Sequence, residues 1–223
     1  VGICFAHHFE MAGNPRIDEM GIAQNIGSME GKEMRIGAAG TATWSQTTTV
    51  TSNGSVNGMH DSTMPLTGMF TMLNMMINCW FGGVGVGFMN YYTFLIIAVF
   101  ISGLMVGRTP EFLGKKVEAR EMKIASIVAL CHPFIILVGT AIAAYLYAHA
   151  PGFVESEGGW LNNPSFHGFS EMLYEYTSSA ANNGSGFEGL GDNTYFWNFT
   201  CGLVLILGRY LPIVGQVAIA GLL

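Results

Sequence analysis

The chain has few charged residues and long stretches with none. Charged residues make up 11% of its 223 residues and hydrophobic residues 50%, whereas soluble domains carry about 25% charged residues. No Asp, Glu, Lys or Arg occurs in 62–107, 124–154 or 193–208. Because ~20 predominantly apolar residues cross a bilayer, this pattern disfavours a large soluble protein with buried helices and predicts a multi-pass membrane protein in a lipid bilayer.

Basic residues are scarce and unevenly placed. Five of the nine lie in 108–123, whereas 149–193 contains none and carries six acidic residues. Lys and Arg collect in cytoplasmic loops, so we expect loop 108–123 to be cytoplasmic and 150–193 to lie outside. The net charge of −6 and the lack of a basic patch give no reason to expect a nucleic-acid partner.

The chain lacks the motifs of catalysis and nucleotide binding. Its four cysteines are scattered and form no CxxC pair, which favours buried apolar cysteines over a metal site or disulfide framework. The glycine-rich run at 82–87 lacks the Gly-Lys-Ser/Thr ending of a phosphate-binding loop, and Gly31-Lys32 is followed by Glu33. We find no catalytic triad, so we expect no enzymatic activity and no bound nucleotide in this chain itself.

What the sequence does contain is a repeated polar segment. Thr-Thr-Thr-Val-Thr-Ser-Asn-Gly-Ser at 47–55 aligns without a gap with Thr-Ser-Ser-Ala-Ala-Asn-Asn-Gly-Ser at 177–185. Each copy lies between apolar stretches. Polar turns at matching positions of two internal repeats indicate a substrate or ion site within a membrane protein.

The surrounding pattern predicts helices throughout. Short helices at 36–51 and 168–181 each lead to one of the repeated turns. Longer apolar helices are predicted at 64–81, 89–107, 124–147 and 195–208. The glycines at 82–87 should break the helical run, and Pro133 should kink its helix without ending it. The order is that of two tandem helix–pore-loop–helix repeats in an all-α membrane protein.

The two turns have the chemistry of a potassium path. Potassium prefers oxygen ligands, and the carbonyls of a selectivity filter replace its hydration shell. We expect Gly54 and Gly184 to adopt positive φ, which lets successive carbonyls turn toward one axis. Asn and Ser add side-chain oxygens, and neither copy contains a charged residue. Ordinary surface turns remain the alternative, since both copies also fit the Asn-x-Ser glycosylation pattern.

The histidines show no pattern of metal ligands in the sequence. His60 and Asp61 follow the first turn and are expected to mark the outer edge of the filter or to bond locally, because a lone His-Asp pair is not a ligand set. The other histidines, His167 among them, have no ligand spacing. We therefore expect potassium to be the only metal ion.

Six strings of the sequence carry a family resemblance. They are Ser-Met-Glu-Gly-Lys-Glu at 28–33, Met-His-Asp-Ser at 59–62, Phe-Gly-Gly-Val-Gly at 81–85, Gly-Leu-Met-Val-Gly-Arg-Thr-Pro-Glu-Phe-Leu-Gly-Lys-Lys at 103–116, His-Gly-Phe-Ser-Glu at 167–171 and Ser-Ala-Ala-Asn-Asn-Gly-Ser at 179–185. Together they resemble the potassium-binding A subunit of the Kdp potassium-transporting ATPase of bacteria and archaea. The resemblance covers nearly the whole chain, and the string at 103–116 is its most specific part.

The resemblance implies a fold like that of potassium channels, with four helix–pore-loop–helix repeats around one selectivity filter. The segment 1–107 resembles the third repeat, with an incomplete first helix, a pore loop near 36–58 and a glycine-broken second helix. The segment 108–123 is then a cytoplasmic basic loop, and 124–223 resembles the fourth repeat, with its pore loop near 168–188. The implied location is the cytoplasmic (inner) membrane of a bacterium or archaeon.

The resemblance also assigns roles to particular residues. It places the potassium filter in the two turns, at Ser52, Asn53, Gly54, Ser55, Asn182, Asn183, Gly184 and Ser185. It gives a gating role below the filter to Arg108 and to three glycines of the broken helix, Gly82, Gly83 and Gly85. The alternative for Arg108 is that it is one more basic residue of a cytoplasmic loop, with no part in gating.

The implied function is the capture of extracytoplasmic potassium by a non-hydrolytic subunit of an ATP-driven, high-affinity import complex. Its partners would be a P-type ATPase catalytic subunit and small membrane subunits. Alternatives are an ATP-independent potassium channel or ion-coupled transporter of the same architecture, and a structural membrane scaffold. Because two of the four filter segments are present, we expect a piece of a longer protein rather than a pore made by two copies.

Overall fold

Helices form nearly all of the regular structure. The structure, a computed structural model, describes residues 1–77, 81–82 and 86–223. Its helices are α1 (Gly2–Ala12), α2 (Pro15–Glu19), α3 (Gly37–Val50), α4 (Pro65–Ile77), α5 (Val86–Val106), α6 (Ala119–His149), α7 (Pro151–Ser156), α8 (Phe166–Ala181) and α9 (Tyr195–Leu222). Two short strands, β1 (Glu111–Phe112) and β2 (Lys115–Lys116), pair as an antiparallel hairpin. The all-α class is confirmed.

Within the described residues, three helices are long and apolar enough to cross a membrane. They are α5, α6 and α9, with 21, 31 and 28 residues, against the ~20 that span the hydrocarbon core. In their most hydrophobic stretches, 11%, 28% and 22% of the residues are buried within the chain. Most of their apolar side chains therefore face outward, and a surface of that kind is stable against lipid or further protein rather than water.

The helices form two groups that pack against each other. The first group is α1, α3 and α4, and the second is α6, α8 and α9. The groups are joined where α4 packs on α8 and where α5 packs on α6 and α9. The largest cluster of buried side chains belongs to the second group and includes Trp160 and Trp197, whose ring centroids are 5.4 Å apart. Each group therefore supports one short helix, α3 or α8, against longer neighbours.

The predicted helices are present, with differences at their ends. The short helices predicted at 36–51 and 168–181 are α3 and α8, and α6 continues through Pro133 as expected. The helix predicted at 195–208 instead continues through Pro212 to Leu222. A proline inside a helix removes one backbone donor, and in membrane helices neighbouring groups compensate for that loss.

Two further boundaries correct the sequence pattern. The helix α6 begins at Ala119, inside the segment 108–123, because Glu118 and Glu121 form a capping box in which the Glu118 N–H donates to the Glu121 carboxylate at 2.8 Å. The first turns of this helix carry charged residues, so the uncharged run that predicted the helix begins later, at residue 124, than the helix itself. Near the glycine-rich run, α5 includes Val86 and so begins before the predicted position 89. The predicted end of the preceding helix at 81 and the predicted break at 82–87 fall partly on 78–80 and 83–85, outside the described residues.

We predict that α9 tolerates a methyl group at one glycine and not at another. A Cβ on Gly208 would collide with the carbonyl oxygen of Ala180, whereas a Cβ on Gly202 would meet no atom within 4 Å. Gly208→Ala should lower the midpoint of thermal unfolding of the full-length protein, through a loss of about 1–3 kcal/mol. Gly202→Ala should keep or raise the midpoint, because Ala favours helix over Gly by ~1 kcal/mol. Equal midpoints would contradict this packing of α9 on α8.

Candidate functional site: two paired polar turns

The first turn follows a helix that is rich in hydroxyl side chains. Buried polar residues of α3 include Thr41, Ser45, Thr48 and Thr49. Thr49 donates a hydrogen bond from Oγ1 to the Ser45 carbonyl at 2.7 Å. A hydroxyl that bonds to the preceding helical turn needs no water, so this polar helix can be enclosed by the apolar helices around it.

The last turn of α3 holds the first polar turn in place. The Thr48 hydroxyl donates to the carbonyl oxygens of Asn53 and Ser55, at 2.9 and 2.8 Å. The Asn53 N–H donates to the Thr48 carbonyl at 2.9 Å. The Asn53 side-chain oxygen then accepts the Ser55 N–H at 2.8 Å, which is the hydrogen bond of an Asx turn.

The second polar turn repeats this arrangement at the end of α8. The Asn183 N–H donates to the Ser178 carbonyl at 3.3 Å. The Asn183 side-chain oxygen accepts the Ser185 N–H at 2.9 Å, and the Ser178 hydroxyl donates to the same oxygen at 2.8 Å. Ser178 aligns with Thr48 and Asn183 with Asn53, so the repeat in the sequence is also a repeat in the backbone and its hydrogen bonds.

The backbone reverses at matching residues, one of which differs from the expectation. Ser52 and Asn182 occupy the same place in the two copies and have φ of 52° and 61°. Gly184 adopts the expected positive φ, 78°, but Gly54 does not. Both helices are followed by a left-handed residue, Ser52 after α3 and Asn182 after α8, as helices often are. The first reversal of each turn therefore does not depend on its glycine, and the copies differ only at the later position, where Gly184 is left-handed and Gly54 is not.

Gly54 is needed for a different reason, which is the contact between the two turns. A Cβ on Gly54 would collide with the carbonyl oxygen of Asn183. The Ser52 hydroxyl donates to the Ala181 carbonyl at 3.2 Å. The Asn183 amide also contacts the sulfur of Met75 on α4. The structure therefore brings the eight predicted filter residues together as two adjoining turns.

The two predicted gating residues that the structure describes, Gly82 and Arg108, lie far apart. Gly82 lies against the first turn, since a Cβ there would be 2.8 Å from the Ser52 Cβ. Arg108 is exposed beyond the opposite end of α5, where its N–H donates to the Gly103 carbonyl at 3.0 Å. The 21 residues of α5 correspond to about 30 Å. Gly83 and Gly85 lie outside the described residues.

A second arginine lies nearer to the turns and was not among the predicted site residues. The Arg209 Nε donates to the Asn182 side-chain oxygen at 3.3 Å. Its sequence signal is a lone charge inside the apolar run of α9. An ionisable residue in such a run is by default a functional candidate in a membrane protein.

An ion pair with no exposed side-chain surface links the segments on either side of the first turn. Lys32 Nζ lies 2.9 Å from Glu10 Oε2, and both side chains are 0% exposed. The other Glu10 oxygen accepts the Met64 N–H at 2.8 Å, at the start of α4. These bonds join α1, the loop before α3 and the chain that leaves the turn, an arrangement that the sequence pattern did not predict.

The residues after the first turn meet the beginning of α8. His60 is buried, and burial lowers the pKa of its imidazole to about 4, so the ring is neutral near pH 7. Asp61 Oδ1 lies 2.6 Å from Nε2 of His167, and Glu171 lies one helical turn beyond His167. This contact was not predicted from the sequence, where the available signal was the four-residue spacing from His167 to Glu171 on one helix.

Comparisons with known proteins agree on one family. The family model described as "Potassium-transporting ATPase A subunit" matches residues 1–223. A protein of Phocaeicola vulgatus named "Potassium-transporting ATPase potassium-binding subunit" is 82% identical over 223 residues, which is 100% of this chain and 39% of that protein. Proteins of the same name from Flavobacterium johnsoniae and Clostridium acetobutylicum are 65% and 50% identical over 218 residues, covering 96% and 98% of this chain and 38% and 37% of their own lengths.

We predict that the two Asn residues of the turns differ in their contribution to stability. The Asn183 oxygen accepts bonds from Ser185 N–H, Ser178 Oγ and Ser185 Oγ, whereas the Asn53 oxygen accepts one, from Ser55 N–H. Asn183→Ala should destabilise the full-length protein by about 1–3 kcal/mol, since buried donors lose their acceptor. Asn53→Ala, at an exposed position, should cost less. Thermal unfolding in detergent measures both, and an equal loss would contradict this difference.

Proposed function

Because the chain belongs to the family of potassium-transporting ATPase A subunits, we propose that its two polar turns form part of a potassium path. The chain spans 39% of the length of its Phocaeicola vulgatus relative, and the whole protein would complete the path with two further turns. In this proposal the full protein captures extracytoplasmic potassium for an ATP-driven, high-affinity import complex. The chain itself hydrolyses nothing and binds no nucleotide.

The contact between the two turns is the observation that carries the proposal. Gly54 lies against the Asn183 carbonyl, and the Ser52 hydroxyl bonds to the Ala181 carbonyl at 3.2 Å. Oxygen atoms from both repeats are thereby gathered in one place. A filter needs such a group of oxygens to replace the hydration shell of potassium.

The proposed filter residues comprise both turns: Ser52, Asn53, Gly54, Ser55, Asn182, Asn183, Gly184 and Ser185. Left-handed backbone at Ser52, Asn182 and Gly184 supports this assignment, because it turns successive carbonyls away from the helical direction. The Asx bonds made by Asn53 and Asn183 keep the turns in that shape. Neither turn contains a charge, which suits an ion that must bind and then leave.

The proposed arrangement in the membrane follows from helix length and charge. With 108–123 in the cytoplasm and 150–193 outside, the outer rim contains His60 and Asp61, and the path runs inward from the turns. The segments 1–107 and 124–223 are then two pore repeats joined by the basic hairpin. We place the protein in the cytoplasmic membrane of a bacterium, together with a P-type ATPase catalytic subunit and small membrane subunits.

Gating is proposed at the glycine-rich break between α4 and α5. Gly82 touches the first turn, so a shift of the chain there would reach the filter directly. Arg108, at the far end of α5, would act at the cytoplasmic exit through its charge. These two positions would therefore influence the ion at different points along its path.

We predict that potassium uptake is sensitive to both turn glycines. Gly54→Ala would push the two turns apart, and Gly184→Ala would place a Cβ at a φ of 78° that side chains rarely adopt. Each change should raise the external potassium concentration for half-maximal uptake about tenfold or more, which corresponds to ~1.4 kcal/mol of lost ion binding. The measurement is uptake by cells that carry the full-length gene at low external potassium.

The matched control is Gly68→Ala on α4. A Cβ there would lie 3.5 Å from Thr63 Oγ1 and 3.7 Å from the Phe187 ring, which are ordinary contacts. This variant should retain uptake, and the amount of each variant in the membrane is measured alongside. Unchanged uptake and unchanged selectivity over sodium in both turn variants would remove the turns from the ion path. Potassium flux by the purified protein alone, without nucleotide or partner subunits, would instead favour a channel.

A further inference from the structure

Three side chains that can ligate a metal ion meet where the two repeats join. Asp61 Oδ1 lies 2.6 Å from His167 Nε2, and Glu171 Oε1 lies 3.8 Å from the same nitrogen. The three ligand atoms all lie within 4.8 Å of one another. Asp61 comes from the chain that leaves the first turn, whereas His167 and Glu171 belong to α8, which leads to the second turn. The potassium path proposed above places Asp61 at its rim and gives no role to His167 or Glu171.

The cluster holds more negative charge than its neighbours balance. The side chains of Asp61 and Glu171 are 6% and 0% exposed. The amide of Asn163 donates to both carboxylates, at 3.0 and 3.1 Å, but it is neutral. Within residues 1–77, 81–82 and 86–223, neither carboxylate pairs with Lys or Arg. Buried carboxylates are costly unless a cation or a proton accompanies them.

An oxygen without a partner points to a ligand. Glu171 Oε2 is buried and has no hydrogen-bond partner in the part of the chain that the structure describes. Buried polar atoms are nearly always satisfied, so each exception requires an explanation. Oε1 of the same carboxylate faces His167 and already accepts a bond from Asn163, so a cation held through Oε2 as well would satisfy the oxygen that the protein leaves open.

The surroundings give an ion a way in. A Cβ on Gly189 would collide with Glu171 Oε1 and Asp61 Oδ2, so this glycine packs closely against both carboxylates and a side chain there would obstruct them. His167 stacks on Phe187 with the ring planes 13° apart, and its side chain remains 44% exposed. An ion can therefore arrive from solvent, and water can complete its coordination.

We propose that Asp61, His167 and Glu171 bind a first-row divalent metal ion, for which Zn²⁺ is the best fit. One imidazole with carboxylates is a ligand set for Zn²⁺, whereas Ca²⁺ and K⁺ prefer sets made of oxygen. Tetrahedral zinc bonds of about 2.0–2.1 Å place ligand atoms about 3.3 Å apart. The distance between Asp61 Oδ1 and His167 Nε2 would lengthen slightly, which the partly exposed ring allows. The imidazole proton would then be on Nδ1.

Such an ion would tie the two repeats together. It would fix the chain after the first turn to the helix that carries the second turn, on the same side as the Lys32–Glu10 ion pair. Metal that binds the folded protein and not the unfolded one stabilises it by mass action. We therefore expect zinc to raise the unfolding temperature, whether or not the two turns conduct potassium.

The test uses the full-length protein in its complex, purified in detergent and stripped of metal with a chelator. Binding of ZnCl₂ is measured by calorimetry and by metal content, and CoCl₂ is used as a probe because its visible absorption reports nitrogen ligation. Wild type should bind one Zn²⁺ at this site and unfold at a higher temperature with zinc. Loss of a residue that only hydrogen-bonds to a metal ligand costs roughly 10- to 100-fold in metal affinity. His167→Gln and Glu171→Gln each remove a ligand, so each should lower the zinc affinity by more than that.

Matched controls are His149→Gln and Glu155→Gln, which change exposed residues of the same types. Both should bind zinc as wild type does and show the same rise in unfolding temperature. His167 is partly exposed, so His167→Gln tests the site even if Glu171→Gln fails to fold. The proposal would be overturned if His167→Gln had the same zinc affinity and cobalt absorption as wild type. It would also be overturned if wild type bound no zinc, or if CaCl₂ or KCl at the same concentration displaced the zinc. These readouts do not depend on potassium transport, so this proposal and the proposed function can fail separately.

Discussion

A helix that ends inside an apolar protein leaves carbonyl groups without intrahelical partners, and the structure depends on how they are satisfied. In both repeats the answer is local. Thr48 and Ser178, one helical turn before the break, supply hydroxyl groups to the returning chain, and Asn53 and Asn183 close an Asx turn on it. The polar turns thereby need little from outside, which lets α3 and α8 stop where apolar helices surround them.

The pairing of the two turns determines much of the remaining architecture. Because Gly54 lies against the Asn183 carbonyl, the two helix groups must approach closely, and α4 packs on α8 beside them. Polar contacts hold the two groups together near the chain that leaves the first turn. There the Lys32–Glu10 ion pair secures the first repeat, and the Asp61–His167 contact crosses to the second. The apolar outer faces of α5, α6 and α9 remain for lipid or for the rest of the protein.

Local chemistry was predictable from the sequence, and long-range contact was not. Uncharged runs of membrane length predicted the long helices, and the aligned Asn-Gly-Ser copies predicted two equivalent turns. The left-handed residue at Ser52 was missed because glycine is the usual signal for positive φ. Lys32 and Glu10 are separated by the whole first loop, and Asp61 is far along the chain from His167. Sequence spacing does not predict such contacts, because these residues come together only when the helices pack.

The central claim is that oxygen atoms of both turns bind one ion together. The most direct measurement is a structure of the full-length complex with Rb⁺ or Tl⁺ in place of potassium, with the ion located by anomalous scattering. The account predicts a peak within coordination distance of Gly54 or its neighbours and also of Gly184 or its neighbours. A peak that contacts neither turn, or ions bound only elsewhere in the complex, would contradict it.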